Sequence, residues 1–207
     1  FIKSNFKIII SILLIFFILF LCIQFYNYNK IKNFKEKSIL TFNALKIDNE
    51  DLLISKLNKI NKNNDFYNIL SDLKLIQIYN NNKNYDLSNI KYKEILESSS
   101  LDELYISAIA THAAYTFIEA TFNTNSNKFI KDIQLYIDSI SENLENYNSI
   151  KLELKYLLLV TEIDLNKTSY KDNLKVKELY NSIYNSNSIS ESVKERIRKI
   201  HEFQIYK

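Results

Sequence analysis

Glycine, proline, methionine and tryptophan are missing altogether from this chain of 207 residues, and cysteine occurs once. Average usage would supply roughly 7% glycine and 5% proline. Lysine, asparagine, isoleucine, phenylalanine and tyrosine fill the gap, and arginine occurs only at Arg196 and Arg198. An extremely AT-rich genome produces such a bias, so we read it as mutational drift before selection. Each absence excludes something. Without glycine no phosphate-cradling loop of the P-loop or dinucleotide type can form, because those turns need backbone without a Cβ. Without glycine and proline the tight turns between strands lose their usual residues, which argues against an all-β fold. The lone thiol, Cys22, lies inside a hydrophobic run, so a disulfide within the chain and a thiolate zinc site are both excluded. The formal net charge of +3, from 27 basic and 24 acidic residues, is too small and too mixed in sign to predict nucleic-acid binding. The chain opens on Phe1 rather than methionine, which leaves its true start open.

From Ile8 to Phe25 the sequence reads IIISILLIFFILFLCIQF, interrupted only by Ser11 and Gln24. About 17–25 apolar residues span a bilayer core, and Tyr26 and Tyr28 follow where amphipathic aromatics favour the interface. A cleavable signal would have a shorter apolar stretch of roughly 7–15 residues and a small-residue cleavage site. No Ala-x-Ala follows here, so we expect an uncleaved signal anchor in contact with membrane lipid. Lys3 and Lys7 precede the run, while Lys30, Lys32, Lys35 and Lys37 follow it, opposed by Glu36 alone. Taken by itself, that bias places the rest of the chain in the cytoplasm.

Beyond the anchor, helical patterns alternate with asparagine-rich breaks at 61–64, 80–84, 123–127, 143–148 and 185–187. In a glycine-free chain asparagine best tolerates the left-handed conformation that ends a helix, so these breaks read as helix–helix turns. Between them apolar residues recur every three or four positions. One stripe runs through Phe66, Ile69, Leu70, Leu73, Ile76 and Tyr79, and a second through Leu87, Ile90, Ile95 and Leu96. Others run from Phe129 to Ile140, from Leu154 to Thr161, from Leu174 to Ile183 and from Ile189 to Phe203. Ser100 with Glu103, and Ser188 with Glu191, fit capping boxes. No segment alternates with period two, so the fold class is all-α.

One stretch fits the tetratricopeptide pattern of W-x2-L-G-x2-Y, then A-x3-F, then P. With Asp72 in the Trp position, Leu75 and Tyr79 hold the Leu and Tyr. Ser88 stands for the small Ala, Tyr92 for the Phe, Ser100 for the closing Pro, and Tyr85 opens the second helix. The spacing serves packing, since a small residue lets two helices approach while large ones fill the groove between them. A looser second pair has Tyr170 opening its second helix. Between the pairs, Ser107 to Ala120 is rich in small residues, as a tightly packed inner helix would be.

Anchor, lead-in, the segment Asn61 to Ser98, small-residue helix and further pair together resemble the YfgM-like ancillary subunits of the bacterial Sec translocon, over almost the whole chain. The resemblance is sharpest from Phe66 to Leu96, where the family's Tyr-x-x-Leu-Ala-x-Leu-x-Leu-Ala run reads Tyr67, Leu70, Ser71, Leu73, Leu75 and Ile76. Ile76 replaces a small residue of the family pattern. The resemblance implies a single-pass bacterial inner-membrane protein with a periplasmic C-terminal domain. That domain would associate with SecYEG subunits and with envelope chaperones receiving secreted clients. Such families carry a cytoplasmic segment ahead of the anchor, and on that ground the periplasmic orientation is preferred to the lysine count. The expected organisation is an anchor over 1–28, an amphipathic lead-in or stalk over 29–47, and a tetratricopeptide-like α-solenoid over 48–207.

Candidates for chemistry are few. His112 and Glu119 lie seven apart and share a helix face, as a proton relay or metal pair would. The only other histidine is His201, and no acids cluster around His112, so a packed or surface histidine is the better reading. Ser98, Ser99 and Ser100 lack the Ser-x-x-Lys or Gly-x-Ser-x-Gly context of a nucleophile, and capping accounts for Ser100. No cofactor or metal is predicted, and no enzymatic activity. On the repeat register, Leu70, Leu73, Gln77 and Asn80 face inward on the first repeat helix and form the candidate protein-binding surface; the two leucines fit a core role equally. The expected function is a membrane-anchored interaction scaffold. The alternatives are a structural or assembly factor of the cell envelope and a cytoplasm-facing membrane regulator.

Overall fold

The computed structural model describes residues 2–60, 66–97 and 101–207, with side chains from Ile10 onward. Among the described residues every regular element is a helix, and none is a strand. Contacts divide the chain into two compact units, Phe1–Ser71 and Asp72–Lys207, with the division falling inside a helix.

The first unit is dominated by α1, a single helix from Ile2 to Leu45. At 1.5 Å per residue its 44 residues run for about 66 Å. The apolar run and the polar lead-in are therefore one uninterrupted helix, since no glycine or proline exists to break it. The helix is long and apolar enough to cross a membrane, with a mean hydropathy of 2.3 over its most apolar window. Every side chain from Ile10 to Tyr28 is exposed. Burial begins only at Thr41 and Ala44, where α1 packs on α2 (Glu50–Lys59) through Leu53 and Leu57. Asn49 starts α2 by accepting a hydrogen bond from Leu52 N at 2.9 Å.

The second unit begins within α3 (Phe66–Asn81) and continues through α4 (Tyr85–Leu96) and α5 (Glu103–Thr124). A short 3-10 turn at Asn127–Phe129 leads into α6 (Ile130–Asp138), followed by α7 (Glu145–Asn166), α8 (Leu174–Tyr184) and α9 (Glu191–Tyr206). Helix α5 packs against α4, α6 and α7, and α7 packs in turn against α6, α8 and α9. The small residues of α5 permit this crowding. Ser107, Ala110, Ala113, Ala114 and Ala120 are all fully buried. Phe117, on the same helix, is the hub of an aromatic core. It stacks on Tyr136 of α6 at 5.7 Å and meets Phe129 at 4.9 Å and Tyr92 of α4 at 5.9 Å. A second core joins Tyr156, Val160 and Ile163 of α7 with Val176, Ile183, Ile189, Val193 and Ile197.

Polar contacts bind the helices across these cores. Asp132 of α6 takes Asn89 Nδ2 and Lys93 Nζ of α4, each at 2.6 Å. Lys151 is buried at the start of α7 because its ammonium donates to the Ile140 carbonyl at 2.8 Å, just past the end of α6, and pairs with Glu142 at 3.0 Å. That lysine supplies a donor to a carbonyl left over at the helix end.

Several expectations need correction. The buried face of α4 is Ser88, Asn89, Tyr92 and Ile95, while Leu87 and Ile90 of the expected stripe are exposed. Leu174 and Phe203 likewise point outward. Tyr170 does not open a helix; it is buried in the loop before α8. Helix α9 is preceded by Ser190, not Ser188, and Ser190 makes no side-chain cap. The cap of α5 is Asp102, which accepts from Leu104 N at 2.9 Å. Ser98 to Ser100 and the break at 61–64 lie outside the described residues. Asparagine also acts differently from expectation. Among the described asparagines only Asn125 ends a helix in the left-handed conformation; Lys167 ends α7 in the same way, and Lys83 is the third positive-φ residue. Asn49, Asn84 and Asn173 instead start helices by accepting backbone N–H bonds, the commoner use of a short polar side chain.

Candidate functional site

Two helix faces in the second unit enclose a groove of about 540 Å³. Helix α3 contributes Leu73, Ile76, Gln77 and Asn80, at the i, i+3, i+4, i+7 spacing that keeps side chains on one face. Helix α5 contributes His112, Thr116 and Glu119 by the same rule, and Tyr85 opens the adjoining helix α4 at the groove's edge. Three of the four candidate binding residues, Leu73, Gln77 and Asn80, therefore line one concavity. Leu70 does not line it; it sits one turn earlier on α3, half-buried in the first unit.

Beneath the groove Tyr92 is fully buried. Its hydroxyl meets His112 Nδ1 and also bonds with Thr116 and Asn80. Burial pushes the Tyr92 hydroxyl above its ordinary value of 10.0, so it stays protonated. Desolvation pushes His112 below 6.5, so the imidazole is neutral at pH 7. Asn80 Oδ1 is buried without a partner, while Gln77 Oε1 accepts from Lys74 Nζ at 2.9 Å. Glu119 is exposed at the rim.

His112 and Glu119 share a face and a groove, and the Nδ1 of His112 is engaged by the Tyr92 hydroxyl. Among the described residues no three His, Cys, Asp or Glu side chains approach as metal ligands would. What remains is an amphipathic trough with an apolar floor at Ile76 and Leu73 and carboxamides along one wall. Its volume falls within the range of roughly 300–1,000 Å³ typical of ligand sites.

His201, the second histidine, lies elsewhere. It closes a smaller cleft between α8 and α9, where its Nδ1 lies 2.6 Å from the Tyr170 hydroxyl. Sequence reasoning did not find either tyrosine–histidine pair, because each joins different elements, 20 and 31 residues apart. The seven-residue spacing of His112 and Glu119 on one helix face is the sequence signal that pointed to the α5 wall.

No family model matches this chain, and neither a curated protein nor a solved structure matches it.

Proposed function

We propose that this chain is a membrane-anchored protein-interaction scaffold: α1 tethers it to the bilayer, and the α3–α5 groove receives a polypeptide partner. One observation carries the reading. A 44-residue helix with its apolar half wholly exposed runs without a break into polar sequence, and an apolar helix that lacks protein neighbours needs lipid. The helical unit supports the remainder. Each of α5 and α7 packs on its neighbours and on the next helix but one, as stacked helix pairs do. The repeat positions Leu75, Tyr79, Ser88 and Tyr92 are all buried. We read the unit as a tetratricopeptide-like solenoid on these grounds.

The resemblance to the ancillary subunits of the Sec translocon supplies the partner and the side of the membrane. The proposal is a single-pass inner-membrane protein with its C-terminal unit in the periplasm, working beside SecYEG and envelope chaperones on secreted clients. Co-purification of the full chain from native membranes tests it. A Sec subunit or envelope chaperone in the eluate supports the proposal, and recovery of neither contradicts it. A second reading, a regulator facing the cytoplasm, is favoured by one observation: the lysines at 30, 32, 35 and 37 outnumber those at 3 and 7. Protease digestion of spheroplasts separates the two, because only a periplasmic unit is cut.

A further inference from the structure

The cleft between α8 and α9 encloses about 380 Å³, and its chemistry begins in the core beneath it. Tyr156 on α7 is fully buried, and its hydroxyl lies 2.5 Å from that of Tyr170. The Tyr170 hydroxyl lies 2.6 Å from His201 Nδ1. A buried hydroxyl that only accepted would leave its own proton unpaired, which buried polar groups avoid. Tyr156 therefore donates to Tyr170, Tyr170 donates to Nδ1, and the proton of the neutral imidazole rests on Nε2. Tyr180 stacks on the ring at a centroid separation of 3.7 Å and an angle of 13°, which holds its plane.

Lys171, Lys177, Asn181 and His201 line the cleft, and Ile205 supplies an apolar wall; of their polar groups, the two ammonium groups and the Nε2–H can only donate. No carboxylate lines it among the described residues. Glu202, the acid beside His201 on α9, pairs with Arg198 at 2.8 Å, and its charge also acts on His201 and Tyr180. A site of this kind is complementary to a group that only accepts, and an ionised carboxylate is such a group. The cleft is far larger than an inorganic ion, and its apolar wall suits the residues that flank an acidic side chain in a chain.

We propose that the α8–α9 cleft binds an acidic segment of a partner polypeptide, one aspartate or glutamate carboxylate accepting hydrogen bonds from Lys171, Lys177 and His201 Nε2. This surface is separate from the α3–α5 groove and stands whether or not that groove binds protein.

The chain has only two histidines, so ¹⁵N-histidine labelling of the full chain in electroneutral nanodiscs gives two imidazole spin systems, assigned with the His112→Gln variant. The unliganded protein shows His201 protonated at Nε2 and bare at Nδ1. A capped peptide of sequence Ala-Leu-Glu-Leu-Ala shifts the His201 signals saturably, whereas its glutamine counterpart needs a concentration about tenfold higher, the loss expected for a charge-assisted contact. The exposed double variant Lys171→Gln with Lys177→Gln removes that preference while its circular dichroism is unchanged, and the His112 signals stay in place throughout. The opposite tautomer at His201, equal responses to the two peptides, or a preference that survives in the lysine variant overturns the proposal. Inorganic phosphate at matched ionic strength is the remaining arm. Saturation as tight as that of the acidic peptide would make the cleft a simple anion site and overturn the polypeptide assignment.

Discussion

Glu153 on α7 accepts two hydrogen bonds from Arg196 on α9, from Nε and Nη2, both at 2.6 Å. The Glu153 side chain is 3% exposed and that of Arg196 51%, so the arginine reaches from the surface to neutralise a charge in the interior. Tyr115 of α5 shares the site, and its hydroxyl is pushed up, first by desolvation and then by the neighbouring Glu153. Three helices meet on one carboxylate.

That geometry makes the two partners unequal. Arg196→Met leaves the Glu153 charge buried with only the Tyr115 hydroxyl against it, and breaking a buried pair from one side costs roughly 3–5 kcal/mol. The half-exposed arginine lowers the expected loss to about 2–3 kcal/mol. Adding Glu153→Leu removes the stranded charge and recovers most of it. Urea denaturation of the full chain in detergent reads both values. A loss below about 0.5 kcal/mol for the single variant, the scale of a surface pair, would show that Glu153 is not buried as described.

Ser88 is fully buried in α4 with its Oγ unpartnered, at the small position of the repeat register. An unsatisfied buried hydroxyl costs about 1–3 kcal/mol, so Ser88→Ala stabilises by about 1 kcal/mol. Ser88→Leu overfills the same space and destabilises by about 1–3 kcal/mol. Opposite signs for the two substitutions in one denaturation series check the packing, and equal signs would refute it.

Lys167 ends α7 in the left-handed conformation at φ 52°. That conformation costs a residue with a Cβ about 1–2 kcal/mol, and glycine avoids it at some expense in unfolded-state entropy. Lys167→Gly is expected to stabilise by about 0.5–1 kcal/mol. Thermal unfolding measures it, and destabilisation would mean that the residue does not hold this conformation.

Both histidines have folded-state values below the ordinary 6.5, chiefly through desolvation. Below pH 6.5 the unfolded chain therefore binds more protons than the folded one, and stability must fall as pH falls. Carboxylates held low, such as Glu142 and Glu195, act only below their ordinary 4.5. Unfolding free energy is thus expected to decline from pH 7.5 to 5.5. The variant His112→Gln with His201→Gln shows a flatter slope across that interval, whatever its absolute stability. An unchanged slope contradicts the assignment.

The all-helical class was legible because apolar residues recur at helical spacing and no glycine or proline interrupts them. The burial of Phe129, Ile133, Tyr136, Ile137 and Ile140 follows directly from that rhythm. In α4 the rhythm misled, since Leu87 and Ile90 are more apolar than Ser88 yet face outward. There the buried face of α4 holds a small residue at Ser88 in place of a greasy one. The asparagine breaks at 80–84, 123–127 and 185–187 fell at helix ends, while that at 143–148 runs into α7; none gave the chemistry of the turn, because one short side chain serves both as a helix start and as a left-handed end. At the site, Leu73, Gln77 and Asn80 were reached through the repeat register, which also put Leu70 there. Tyr92 beneath His112, and the chain from Tyr156 through Tyr170 to His201, were not, because tertiary packing joins elements that sequence spacing cannot relate.

The central claim is that a helix-tethered unit presents the α3–α5 groove to a protein partner. Photo-crosslinking in native membranes tests it most directly, with the reactive group placed at Gln77 in the groove or at Tyr206, which is 88% exposed near the C-terminus, as a control. The account predicts an adduct at Gln77 with a Sec subunit or an envelope chaperone, none of it at Tyr206, and its loss when residues 1–28 are deleted. Adducts of equal yield at both positions, or an adduct at Gln77 that survives removal of the anchor, would contradict it.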